Sequence, residues 1–223
     1  MARRRSAGFD DQRDAILAEA AALFARQGYT ATSMNQVAAA CGVSKATLYH
    51  YVRDKHELLL CVADTHVARL ETLVNEVWSE TAEPRGRLAA LITRFVLVYT
   101  DAQDQHRVLT DDVRFLDDAA RERVLGTQRR VVARFAQAVQ AVRPELGAAA
   151  LTKPLTMLLF GMINWMFTWL RPEGRLDHAA MAPLVVDLFM GGLDHLRVPT
   201  VAGSASVSRS ATRSKKPHKE LQA

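Results

Sequence analysis

Cysteine is scarce: Cys41 and Cys61 are the only two. So small a supply excludes a disulfide framework and matches a reducing compartment. Both thiols fall on apolar helix faces and read as buried packing residues. Glycine (11) and proline (7) are too sparse for a low-complexity or fibrous chain. Strand-like runs are few, while Ala, Leu and Arg dominate, which predicts an all-α fold. The longest apolar run, residues 155–170, is interrupted by Asn164 and Thr168 and stops about two residues short of a membrane span. The opening Met-Ala-Arg-Arg-Arg-Ser lacks the apolar core of a signal peptide. These absences predict a soluble cytoplasmic protein. Catalytic signatures are missing too: no Gly-x-Ser-x-Gly, P-loop, Gly-x-Gly-x-x-Gly or His-Glu-x-x-His occurs. Asp111, Asp112, Asp117 and Asp118, near His106, read as a solvated loop or helix caps rather than a metal site. The chain is therefore expected to be no enzyme and to carry no cofactor or metal.

What is present starts with apolar residues at 49%, enough for a sizeable core, and a net charge of +5. That charge is unevenly placed. Arg209, Arg213, Lys215, Lys216 and Lys219 face Glu220 alone, so the last 23 residues hold most of the excess. Overall basicity is therefore weak evidence for a nucleic-acid partner, and the argument rests on pattern instead.

The informative stretch is Thr32 to Leu60. Ser33 and Gln36 have the spacing of a capping box, which opens a short helix. Val37, Ala38, Ala40 and Cys41 give that helix a small apolar face. Gly42 follows and can take the left-handed position that ends a helix. Val43 is an apolar turn residue, and Ser44 is an N-cap for the next helix. There Leu48 points inward while Lys45, Ala46, Thr47, Tyr49 and His50 point out. Two short helices joined this way form a helix-turn-helix, whose second helix enters the major groove of duplex DNA. Thr32, Ser33, Tyr49, His50 and Lys55 are the expected phosphate contacts, the last beside a helix N-terminus. Lys45, Ala46, Thr47 and Gln36 are the expected base readers, lysine suiting guanine and threonine or alanine a thymine methyl. Ser44 completes the DNA-facing set.

The segment Thr47 to Leu58, T-L-Y-H-Y-V-R-D-K-H-E-L, resembles the signature T-L-Y-x-[HYF]-F-x-[SDN]-K-[ED]-x-L of the TetR family of transcriptional repressors. Val52 stands near the place of the usual Phe. The resemblance covers roughly residues 10 to 60 and implies an N-terminal three-helix DNA-binding domain, with a C-terminal helical domain for ligand binding and dimerisation.

The rest of the chain is read to match. Residues 1–9 are expected to form a basic disordered arm with Arg3, Arg4 and Arg5; residues 10–56 the helix-turn-helix DNA-binding domain; residues 57–198 the helical ligand-binding and dimerisation domain; residues 199–223 a disordered basic tail. Helices are predicted over 11–27, 55–78, 87–100, 105–115, 118–142, 151–170 and 177–196. One head reads one half-site, so a palindromic operator and a homodimer are expected. Residues 157–169 and 181–193, apolar on more than one face, place the dimer interface on the last two helices. The effector pocket is expected to draw on Phe95, Tyr99, Phe115, Phe160, Trp165, Phe167 and Trp169, with Arg114, Asn164 and Arg171 as polar groups. Gly161 to Leu176, G-M-I-N-W-M-F-T-W-L-R-P-E-G-R-L, is similar to the G-x-x-N-W-x-x-x-W-[YF]-x-P-x-G segment of TetR regulators of fatty-acid, steroid and aromatic-acid catabolism. That similarity implies an acyl-CoA effector, with Arg114, Arg171 and Arg175 toward the CoA phosphates. The alternatives are an efflux repressor released by free lipophilic ligands and, from another class, a non-specific DNA-coating protein.

Overall fold

The structure is a computed structural model and describes residues 7–170, 174 and 176–198, the side chains of Ala7 and Phe167 excepted. Arg3, Arg4, Arg5, Arg171, Arg175 and the tail from 199 onward lie outside the described residues, as does the Phe167 side chain. Ten α-helices and two single-turn 3₁₀ segments, without a strand, make up the described residues.

The first helix, α1 (Ala7–Gln27), starts four residues before the periodicity predicts. Its extra turn is held by Phe9, whose ring stacks on Tyr51 at 4.6 Å, so residues 7–9 belong to the head rather than to an irregular arm. Gly28, at φ +85°, lets the chain turn back after α1. The helix-turn-helix is α2 (Met34–Ala40) and α3 (Lys45–Tyr51), with Gly42 at φ +64° in the turn. A long helix, α4 (Lys55–Glu80), follows, capped by Asp54, which accepts from the Glu57 N–H at 2.8 Å. At 26 residues it runs about 39 Å.

Helix α5 (Pro84–Val98) begins three residues earlier than periodicity predicts. Proline at its first position has no N–H to leave unpaired, and the Glu83 carboxylate accepts from Arg85 and Gly86. Helix α6 (Gln103–Asp111) stops short of Phe115, and a 3₁₀ turn at Val113–Phe115 replaces its predicted last turn. Helix α7 (Asp118–Val142) starts at the Asp117 cap. A single turn, α8 (Glu145–Ala148), not predicted, fills the link to α9 (Thr152–Asn164). The predicted continuation of α9 to Leu170 does not occur. The Asn164 side chain accepts from Tyr99, and the Thr168 hydroxyl bonds back to the Trp165 carbonyl at 2.7 Å, favouring a 3₁₀ turn at Met166–Thr168. The last helix is α10 (His178–His195).

Two apolar cores form, and α4 runs through both. Leu58, Leu59, Val62, Ala63 and Val67 join Ile16, Phe24, Val37 and Leu48 in the first. Leu70, Val74 and Val77 join Leu91, Phe95, Phe135 and Leu159 in the second. The first core also takes Val108, Leu109, Val113 and Leu116. The packing of the N-terminal helices therefore continues past residue 56 and takes in α6 and the start of α7, because α1 alone cannot cover the apolar face of α4. No helix of the described residues is long and apolar enough to cross a membrane.

Candidate nucleic-acid interface and effector region

The head is built by local hydrogen bonding. Ser33 accepts from the Gln36 N–H, and the Gln36 side chain accepts from the Ser33 N–H at 2.8 Å, closing the capping box. Ser44 accepts from the Thr47 N–H at 3.0 Å, and the two hydroxyls lie 2.7 Å apart. Leu48 is fully buried, whereas Lys45, Ala46, Thr47, Tyr49 and His50 are exposed. One helix thus presents a cation, an aliphatic methyl, hydroxyls and an imidazole on its outer face. Lys45 lies 5.8 Å from the Tyr49 ring, and Phe9 meets His50 edge-on at 6.1 Å. Among the described residues no group of three or more His, Cys, Asp or Glu side chains could hold a metal.

Two of the residues expected to touch phosphates do something else. The Lys55 ammonium donates to the carbonyls of Tyr29 (2.9 Å), Thr30 (3.2 Å) and Thr32 (2.8 Å) and lies 4.4 Å from the Tyr29 ring centre. Three donors meet three acceptors, leaving none for DNA. Thr32 is 1% exposed; its hydroxyl donates to Gly28 and accepts from Gln27. Both residues brace the entry to the helix-turn-helix. Sequence spacing alone does not show this, since the acceptors lie 23 to 26 residues away. Lys55→Met is expected to destabilise the protein by about 2–3 kcal/mol in chemical denaturation, because partly buried carbonyls lose their donor. Unchanged stability with a shallower salt dependence of operator binding would instead restore the phosphate role.

Arg114 and Phe115 also fall elsewhere than expected. The Phe115 ring stacks on Tyr29 at 5.2 Å, and the exposed Arg114 guanidinium covers Phe115 at 4.9 Å. They lie at the joint between head and body, carried there by the 3₁₀ turn after α6. Beside them His56 Nε2 accepts from the Asp117 N–H at 3.1 Å, joining the start of α4 to that of α7.

Phe95, Tyr99, Phe160 and Asn164 are brought together. Phe95 meets Phe135 at 4.7 Å and Phe160 at 5.9 Å, and the Tyr99 hydroxyl donates to Asn164 at 3.0 Å. Burial pushes the Tyr99 phenol well above its usual range, so it serves as a donor throughout. On its other side Tyr99 packs against His106 at 4.4 Å, and His106 against His66 at 5.8 Å. Both imidazoles are buried and held neutral. The His66 pKa is lowered to about 3 by burial, then by His106 and Arg69, and that of His106 to about 4 by burial. Neither residue carries a motif that marks it in the sequence as a pocket group.

Trp165 and Trp169 do not line the interior. They are 67% and 51% exposed and, with Met157, Leu158, Leu184 and Leu188, form an open apolar groove of about 550 Å³ along α9 and α10. The shortening of α9 at Asn164 leaves both indoles on this face.

Comparison with known proteins fits this geometry. Residues 16–62 match the model for bacterial regulatory proteins of the tetR family. Residues 81–193, just over half of the chain, match that for the tetracyclin repressor-like C-terminal domain. A TetR-family transcriptional regulator from Bordetella parapertussis is 36% identical, with 83% of this chain and 97% of that one covered and a TM-score of 0.76. AibR in complex with isovaleryl coenzyme A and operator DNA is 26% identical over 79% of this chain and 97% of its own, with a TM-score of 0.68. The HTH-type transcriptional activator FasR of Mycolicibacterium smegmatis is 33% identical over 104 residues, 46% of this chain and 48% of FasR, so the match spans about half of that relative. With its buried Leu48, its outward-facing α3 and matches over both halves, the chain belongs to the TetR family: a ligand-responsive, DNA-binding transcriptional regulator and not an enzyme.

Proposed function

We propose that this regulator is a repressor that binds a palindromic operator as a homodimer and is released by an acyl-CoA thioester. The observation that carries the DNA-reading half is the division of α3: Leu48 inward, and Lys45, Ala46, Thr47, Tyr49 and His50 outward. Tyr49, His50 and Ser33 serve as phosphate contacts, while Lys45, Ala46, Thr47 and Gln36 face the bases beside the Ser44 cap. The dimer forms through α9 and α10. The effector acts on the body, and α4, shared between both cores, carries the change to the head. A ligand achieves this only by binding the released form more tightly than the bound one. Support for the acyl-CoA class comes from the structural likeness to AibR, which was solved with isovaleryl coenzyme A, and from the Gly161–Leu176 segment. In the present form Phe95, Phe135 and Phe160 pack against one another edge to face, so an acyl chain that enters there parts them.

The test is a gel-shift on DNA upstream of the protein's own gene, with a panel of acyl-CoA thioesters and the matching free acids. Release by thioesters and not by free acids supports the reading; release by free lipophiles alone points to efflux control. Lys45→Ala or Thr47→Ala is expected to change base preference, with about 1–3 kcal/mol of discrimination lost at the contacted pair. Tyr49→Ala is expected to weaken all sites alike. Retained affinity and preference in all three would remove the proposed docking. Deleting residues 201–223 is expected to spare specific binding and lower its salt dependence, and loss of discrimination against bulk DNA would favour a coating protein.

A further inference from the structure

The helix that faces the duplex is lightly held. Among the described residues of α3 only Leu48 is buried, and Val52, just beyond its end, is the next anchor. The two lie four residues apart, hence on one side of the helix and along one line. The turn fixes the start of α3, where the Val43 N–H donates to the Ala38 carbonyl at 3.0 Å. A two-turn helix anchored along one line rolls about it unless its flank is supported.

That support comes from the first turn of α1. Phe9 stacks on Tyr51 with ring centres 4.6 Å apart and planes 27° apart. The same ring meets His50 edge-on at 6.1 Å, and His50 meets Tyr51 edge-on at 5.8 Å. At 100° per residue, Tyr51 and then His50 stand farther round the helix from Leu48, on one flank. Tyr51 packs on the apolar core, whereas His50 is exposed, so Phe9 ties an outward side chain to fixed ground. A helix needs no aromatic residue in its first turn, where caps and proline serve better. What the Phe9 ring gains lies on α3.

We propose that Phe9 is a positioning residue for DNA reading: it fixes the roll of α3, and with it where Thr47, Tyr49 and His50 stand against the duplex. The role rests on the reading of α3 as the DNA-facing helix and requires no contact between Phe9 and a nucleotide. Without the ring, the binding-ready roll is one of several, and apparent affinity falls by the fraction of chains that hold it. An aromatic pair shifts such a population about 2- to 10-fold, and a dimer loses the pair twice.

The test starts from a random duplex pool enriched with the parent protein. The selected duplex is then compared with an unselected one of the same length. Phe9→Ala is expected to weaken binding to the selected duplex by about 10- to 100-fold and to the unselected one far less. Phe9→Tyr, which keeps the ring, is expected to restore selective binding. Hydrogen exchange in the free protein is expected to speed up at the Tyr51 and Val52 amides in Phe9→Ala and to stay unchanged in α2. In a His50→Ala background the same substitution is expected to cost less, because one of the groups it places is gone. Equal losses on both duplexes, additive losses with His50→Ala, or no restoration by Phe9→Tyr would overturn the role. A parent that enriches no sequence overturns the reading of α3 and this role with it. A parent that does, with a Phe9→Ala variant that binds the selected duplex equally well, overturns the role of Phe9 alone.

Discussion

Leu188→Asp is expected to turn the proposed homodimer into a monomer and to weaken operator binding by about 10²–10⁴-fold, the usual gain from tethering two heads. The reason is the face it occupies. Leu188 is 68% exposed and Leu158 64%, beside the two exposed indoles, on a surface far more apolar than a single chain keeps in water. A carboxylate in the middle of a dry interface costs several kcal/mol unless it is paired. Analytical ultracentrifugation reads the oligomeric state and a gel-shift reads the affinity. Leu97→Asp, at an exposed leucine of α5 outside that groove, is the control expected to change neither. A Leu188→Asp protein that still sediments as a dimer would move the interface away from α9 and α10.

The second large effect concerns acid. His66 and His106 have folded pKa values near 3 and 4, well below the ordinary value of 6.5. Between those values the unfolded chain binds more protons than the folded one, so stability is full above pH 6.5 and falls as the pH drops through the window. From pH 7 to pH 5 the pair is expected to cost on the order of 4 kcal/mol. His178, also lowered by burial, acts in the same direction. Asp112 acts oppositely, since burial raises its carboxyl. Chemical denaturation at the two pH values reads the difference. Gln at both positions is expected to flatten the slope whatever it does to absolute stability. A parent whose stability is the same at pH 5 and pH 7 would show that the histidines are not buried as described.

These expectations separate what is local from what is not. The capping box of Ser33 and Gln36, the Ser44 cap, the left-handed Gly42 and the inward Leu48 each depend on partners within a few residues, and all are legible in the sequence. The start of α7 at Asp118 and the limits of α10 are legible for the same reason. The end of α9 is not, because the group that ties Asn164 is Tyr99, 65 residues away. Lys55 carries the charge expected beside a helix N-terminus, yet its ammonium is taken by carbonyls from the loop after α1. Composition marks Trp165, Trp169, Arg114 and Phe115 as apolar and cationic material for a pocket. Which surface they face depends on where two 3₁₀ turns end their helices.

The sequence by itself determined the helix-turn-helix, its outward face and the all-helical plan, because caps, glycine turns and apolar periodicity are encoded within one or two turns of chain. Only the tertiary structure decided that Lys55 and Thr32 are braces, that Arg114 and Phe115 sit at the joint beside Tyr29, that the two tryptophans lie exposed beside α9 and α10, and that His66 and Arg69 share a cleft with α1. Each of these positions depends on a neighbour brought in from a distant part of the chain, and side-chain chemistry alone does not say which neighbour that is.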